Sequence, residues 1–273
     1  MRTTEFITSA ANPLLKDVRK ALARGGLSTS GCCVVETFHL LEEALRSGCR
    51  VRTVIAAESV RARIEDHIRD GAGIRLVLVP DKLLNATAHV ATSQGVVALV
   101  DPPVHTVQQT LGGPSLEVPA LVIVIDGLQD PGNLGAILRS AEAFGATGLL
   151  LLKGAVSPFN PKALRASAGS IFRVPFVHGM DETSALDALL HRGANLYAAV
   201  PNAHGHIGSS PSDADLTCPC AIIIGSEGRG VSPALRNAVR DISIPTAGVE
   251  SLNAAIAAAI LLYEARRQRS RPL

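Results

Sequence analysis

Apolar and polar positions follow two periods along this chain. After Asn12-Pro13, the run LLKDVRKALAR predicts a helix started by a turn. Cys33–Val35 reads as a short strand, and Phe38–Arg46, FHLLEEALR, spaces its apolar residues as a helix does. Residues 51–56, 74–79 and 96–100 read as strands, so the first part is a small α/β sandwich. Beyond it the signals sharpen. LVIVI at Leu121–Ile125 is an apolar run of the length and kind that suits a parallel strand buried on both faces. A helix over 133–144 and a strand over 149–152 follow, then strands over 196–200, 221–224 and 242–244. A long Ala-rich helix covers about 251–268. Strands alternating with helices predict a parallel sheet with ligand sites at the carboxyl ends of the strands.

Between the two patterned regions lies DPPVHTVQQTLGGPSLEVP, residues 101–119, rich in Pro, Gly and polar residues. It divides the chain into residues 1–103, a linker at 104–118, and residues 119–273. At 273 residues, with 47% hydrophobic and 18% charged residues, the chain can bury a sizeable core. Aromatic residues are only 3%, so the core is built from Ala, Val, Leu and Ile. A formal charge of +2 does not announce a nucleic-acid binder, and any such surface needs clustered basic residues. Cys32, Cys33, Cys49, Cys218 and Cys220 show no CxxC spacing and are expected as reduced thiols. With no apolar leader and no apolar run of spanning length, a cytoplasmic, soluble protein without metal is expected.

Three segments place polar residues directly after an apolar strand. In IDGLQDPGNLGAILRSAEAFGA, residues 125–146, Asn133 stands where the helix begins, and Arg139 lies on roughly the same side of it. An Asn and an Arg there could hold a phosphate or ribose, or could be a helix cap and a surface charge. In AIIIGSEGRGVSP, residues 221–233, Gly225, Gly228 and Gly230 allow close backbone approach around the lone carboxylate of Glu227. The glycine order is G-x-x-G-x-G, which speaks against a dinucleotide-dependent oxidoreductase, and no P-loop Lys follows. Ser232-Pro233 reads as the cap and first position of a helix. In ISIPTAGVESLNAAIAAAILLYEARRQR, residues 242–269, Ser251 and Asn253 open the last helix, and Ala255, Ala258, Ala259 and Leu262 form a face for close packing.

Together these segments resemble the three signature motifs of the SpoU (TrmH) RNA ribose methyltransferases of the SPOUT class. The matches are N-x-G-x-x-x-R at 133–139, I-x-G-S-E-G-x-G at 223–230 and I-P-x-x-G-x-x-S-L-N at 244–253. NPKALRASAGSIFRVP, residues 160–175, resembles the family's substrate-facing stretch. Asn12-Pro13, Val35-Glu36, residues 42–45 and Thr92-Ser93-Gln94-Gly95 resemble more weakly the attached substrate-binding domain. The resemblance implies an α/β fold: a SPOUT parallel sheet with a deep C-terminal trefoil knot, plus a small L30e-like N-terminal α/β domain. It implies S-adenosyl-L-methionine held by Gly225, Ile244 and Leu252, and polar site residues Asn133, Arg139, Glu227, Ser251 and Asn253. Arg165, Ser167 and Arg24 are the positions expected to face RNA. A homodimer is implied, with a site completed across the interface and alanines of the last helix packing over the two-fold axis. Ribosomal RNA is expected as substrate ahead of transfer RNA, and an RNA-binding protein with weak catalysis is the rival reading. The sequence departs from the family at Ala255, where a second serine is frequent, and at Thr37, where glycine is common. The residue matching Arg139 is proposed as a base in the family. A guanidinium normally keeps its proton, so a phosphate clamp that stabilises alkoxide charge fits Arg139 better.

Overall fold

The computed structural model describes residues 4–69, 71, 73–88, 94–113, 118–201 and 208–270. They group into two compact units, Met1–Pro103 with Ser157–Arg173, and Val104–Val156 with Val174–Leu273. Thr92 and Ser93, which carry part of the N-terminal likeness, lie outside the described residues, as do residues 114–117 of the expected linker.

The first unit runs β1 (Thr4–Phe6), α1 (Pro13–Arg24), β2 (Cys33–Val35), α2 (Phe38–Arg46), β3 (Val51–Ala57), α3 (Arg61–His67), β4 (Arg75–Val79), α4 (Asp81–Asn85) and β5 (Val96–Val100). Its sheet order is β1-β4-β3-β5-β2. Strands β1, β4 and β3 run parallel, and β5 is antiparallel to β3 and β2. Helix α1 starts where expected because the Asn12 side chain accepts the Leu14 N–H at 2.9 Å and Pro13 needs no donor partner. Leu15, Val18, Ala21 and Leu22 of α1 bury against Val34, Ile55, Val77 and Val97 of the sheet. Such side chains contribute about 1.5–3 kcal/mol each relative to exposure. Strand β1 has no counterpart in the sequence pattern, because three residues are too few to show a period.

In the second unit, the stretch expected as a linker holds a short helix, α5 (Val107–Thr110). Thr106 and Gln109 form a reciprocal capping box there, and Thr110 and Leu111 are buried. Then come β6 (Leu121–Ile125), α6 (Pro131–Phe144) and β7 (Gly148–Leu152). Helix α7 (Pro161–Ser167), which belongs to the first unit, precedes β8 (Phe176–Met180), α8 (Glu182–His191), β9 (Asn195–Val200), β10 (Cys220–Ile224), α9 (Pro233–Arg236), β11 (Arg240–Ser243) and α10 (Ala254–Arg269). The sheet order is β11-β9-β10-β6-β7-β8, every pairing parallel. Strands β6, β7 and β10 are wholly buried, as their unbroken apolar runs require.

Helix α10 corrects one expectation. Of its small-residue side, Ala255, Ala258 and Leu262 are buried within the chain and Ala259 is half-buried; α10 packs on α6. The exposed apolar stripe is Ile256, Ile260 and Tyr263, at 53%, 38% and 56% exposure. No helix among the described residues is long and apolar enough to cross a membrane.

Candidate active site

Three loops, after the neighbouring strands β6 and β10 and after the edge strand β11, hold the polar residues of the three motifs. After β6, the chain turns through Gly127, whose φ of +75° suits glycine. Helix α6 then begins at Pro131. The cap is Asp130, whose carboxylate accepts the Asn133 N–H at 2.8 Å. Asn133 is therefore not the cap, and its carboxamide is left to other work. Its Nδ2 donates to Glu227 Oε1 at 2.8 Å, and its Oδ1 accepts from Asn253 Nδ2 at 3.0 Å. Asn253 Oδ1 meanwhile caps α10, accepting the Ala255 N–H at 2.9 Å and the Ile256 N–H at 3.3 Å. Capping fixes which end of the Asn253 amide is the donor, and that fixes Asn133 in turn. One hydrogen-bonded chain, Asn253 to Asn133 to Glu227, thus joins all three motifs.

The loop after β10 closes on itself. Ser226 N donates to Gly230 O at 3.0 Å and Gly230 N to Ser226 O at 2.9 Å, while Ser226 Oγ accepts the Arg229 N–H at 3.1 Å. Gly225 is needed for this turn rather than for a ligand's approach. A Cβ there would stand 2.5 Å from Gly230 O and 2.6 Å from Val231 N. The buried Asp126 carboxylate ties the far side of the loop to β6 by accepting the Ser232 N–H at 2.6 Å. Ser232 precedes α9 as expected, but its hydroxyl makes no capping bond.

A cavity of about 370 Å³ opens between these loops. Gly225, Ile244 and Leu252, the expected cofactor residues, line it together with Glu227 and Ser251. Ala199, Val200 and Pro201, at the end of β9, also line it and were missed by the motif reading. Their position at a strand's carboxyl end was the available signal. The size and mixed apolar and main-chain lining fit a nucleoside-containing cofactor such as S-adenosylmethionine. A second cavity of about 610 Å³ shares Ser226, Glu227, Gly228 and Gly230 and reaches Gln129, Lys153 and Arg229. Gln129 Nε2 donates to Gly127 O and Gly154 O at 2.9 and 2.7 Å, pinning the loop after β6.

Other expected residues lie elsewhere. Arg139 is exposed on α6 and lines neither cavity. In the first unit, Arg24 is exposed in the last turn of α1, and Arg165 pairs with the buried Glu36 at 2.7 Å. Ser167, expected to face RNA, is instead fully buried, its hydroxyl donating to Leu164 O at 2.8 Å, because it closes the last turn of α7.

Known proteins resemble this chain over both of its parts. The model of the SpoU rRNA Methylase family matches residues 120–263, and that of the MRM3-like substrate binding domain matches residues 12–98. An uncharacterized tRNA/rRNA methyltransferase of Synechocystis sp. is 35% identical, over 96% of this chain and 93% of its own length. The 23S rRNA (guanosine(2553)-2′-O)-methyltransferase RlmP of Bacillus subtilis is 32% identical, over 95% and 98% respectively. Among solved structures, the SpoU methyltransferase AviRb from Streptomyces viridochromogenes in complex with AdoMet superposes with a TM-score of 0.82. It is 28% identical and covers 94% of this chain and 98% of that one. The AdoMet-bound rRNA methyltransferase from Sinorhizobium meliloti also gives 0.82, at 25% identity over 97% and 98%.

Proposed function

The chain belongs to the SpoU rRNA methylase family of S-adenosylmethionine-dependent RNA methyltransferases, and we propose that its target is a ribose 2′-hydroxyl in ribosomal RNA. The observation that carries this reading is the chain from Asn253 through Asn133 to Glu227. It draws residues 94 and 120 positions apart in sequence into one polar edge, and it ends on a carboxylate that lines the cavity. The B. subtilis relative is named for 2′-O-methylation of 23S rRNA, which supports ribosomal RNA over transfer RNA.

S-adenosylmethionine, when bound, supplies a methyl group carried on a sulfonium. The protein's part is alignment, which can contribute several kcal/mol to an in-line displacement. Gly225, Ile244 and Leu252 hold the cofactor, while Ser251, Asn253 and Asn133 hold the ribose. The hydroxyl is a weak nucleophile, and its proton passes to solvent water as the bond forms. Arg139 holds the adjoining phosphate and stabilises the alkoxide charge as it develops. Because Arg139 is exposed and does not line its own cavity, the role falls to a second copy of the chain. The homodimer we propose is isologous, with the Ile256, Ile260 and Tyr263 stripe of α10 at its centre. The loops around the cavity are read as the family's trefoil knot, and the first unit as its L30e-like RNA-docking domain, with Arg24 and Arg165 on the RNA side.

Ribose-methylation mapping of total RNA, with and without the gene, tests the reading. One ribosomal 2′-O-methyl mark should disappear with the gene and return with the purified protein and S-adenosylmethionine. A methyl group on a base, or a mark confined to transfer RNA, sinks it.

A further inference from the structure

The cofactor cavity has a one-sided charge. Among the described residues lining it, the ionisable ones are Glu227 and Glu250, and neither lysine nor arginine joins them. Glu227 is already engaged, since its Oε1 accepts from Asn133. Glu250 is not engaged: among the described residues none hydrogen-bonds to or pairs with its carboxylate. It stands at the end of a short loop that Thr246 closes by donating its hydroxyl to Val249 O at 2.6 Å. Ser251 and Leu252, which follow it, line the same cavity.

S-adenosylmethionine carries a sulfonium, an α-ammonium and a carboxylate, and is net positive by one charge. S-adenosylhomocysteine has lost the sulfonium and is neutral. Both keep the α-ammonium, and the carboxylate of Glu250, which lines the cavity, attracts that group. We propose that Glu250 binds the α-ammonium of the cofactor's methionine part. The proposal rests on the assignment of this cavity to the cofactor.

Calorimetry on the full chain without RNA tests it, with three ligands. They are S-adenosylmethionine, S-adenosylhomocysteine and 5′-methylthioadenosine, which keeps the nucleoside but lacks the amino acid. Glu250→Gln should weaken the first two about tenfold, the worth of one charge-assisted hydrogen bond, and change the third by less than about twofold. Glu250→Asp should recover part of the loss. Equal losses for all three ligands mean that Glu250 merely shapes its loop, and overturn the proposal. So does parent-like binding by Glu250→Gln, or a loss of ammonium binding that follows Glu227→Gln instead. A parent that binds none of the three overturns the cavity assignment itself, which is a different failure.

Discussion

Replacing Gly225 by alanine should disable cofactor binding through the loop's own backbone. The added methyl would stand 2.5 Å from Gly230 O and 2.6 Å from Val231 N. Both neighbours are backbone atoms held in the reciprocal Ser226–Gly230 hydrogen bonds. No flexible side-chain end can yield there. Even a weak carbon–oxygen contact needs about 3.3–3.6 Å. The turn must therefore open by most of an ångström, or strand β10 must shift within a fully buried parallel sheet. Overpacking of this kind costs about 1–3 kcal/mol. If the strain falls on the binding-competent form of the loop, affinity drops about 5- to 150-fold. Gly228→Ala is the control, since a Cβ there meets nothing within 4 Å. Calorimetric titration with S-adenosylmethionine and thermal unfolding, run on both variants, separate the cases. Gly225→Ala should lose affinity and some stability, while Gly228→Ala should keep its Tm. A Gly225→Ala protein with parent affinity and parent Tm would refute the argument that the turn's closure, rather than ligand clearance, demands glycine.

Asn133→Ala removes the middle of the hydrogen-bonded chain and should slow turnover at least about tenfold, with less than about 1 kcal/mol lost in chemical denaturation, because the site is exposed. Arg139→Ala and Arg139→Lys should both lose about 10²–10³ in single-turnover rate while binding the cofactor normally, since an ammonium cannot replace a planar fork; a Lys variant with parent turnover would exclude the clamp. On α10, Ala258→Leu should cost about 1–3 kcal/mol at any protein concentration, because Ala258 is buried within the chain. Ile256→Glu should instead leave the chain folded and lower the mass seen by light scattering on dilution. Burial pushes the Cys33 thiol up to about 12 and Cys220 up to about 11, from an ordinary 9.0. The folded chain keeps protons that the unfolded chain loses, so stability should fall as pH rises from 9 towards 11–12, and Cys33→Ala should flatten that fall in denaturant titrations.

The second unit was more legible than the first because its strands are buried on both faces. Leu121–Ile125 and Cys220–Ile224 write that burial as unbroken apolar runs, which survive any choice of neighbour. Short edge elements such as β1 and α4 carry no such mark. The helical turn at 107–110 was hidden by a composition that reads as linker, although its capping box was present at Thr106 and Gln109. Ser167 was expected to face RNA because its segment resembles the family's substrate-facing stretch, and only the last turn of α7 shows its hydroxyl consumed.

The sequence by itself determined the family and the cofactor, and it named candidate residues for the site, because motif order and spacing are properties of the chain alone. Tertiary structure decided which of those residues meet. Asp130, and not Asn133, caps α6, and that substitution of duties releases the Asn133 side chain to join Glu227 to Asn253. Likewise the alanines of α10 were plainly a packing face, but whether they pack on α6 or on a second chain depends on the rotation of α10 about its axis. That rotation is set by everything the helix touches at once: α6 and β10 along its length, and at its end the main-chain carbonyls of Leu216, Ala120 and Cys218 that the Arg269 guanidinium binds. No local pattern carries it, because helical period names a face and leaves its partner to the rest of the fold.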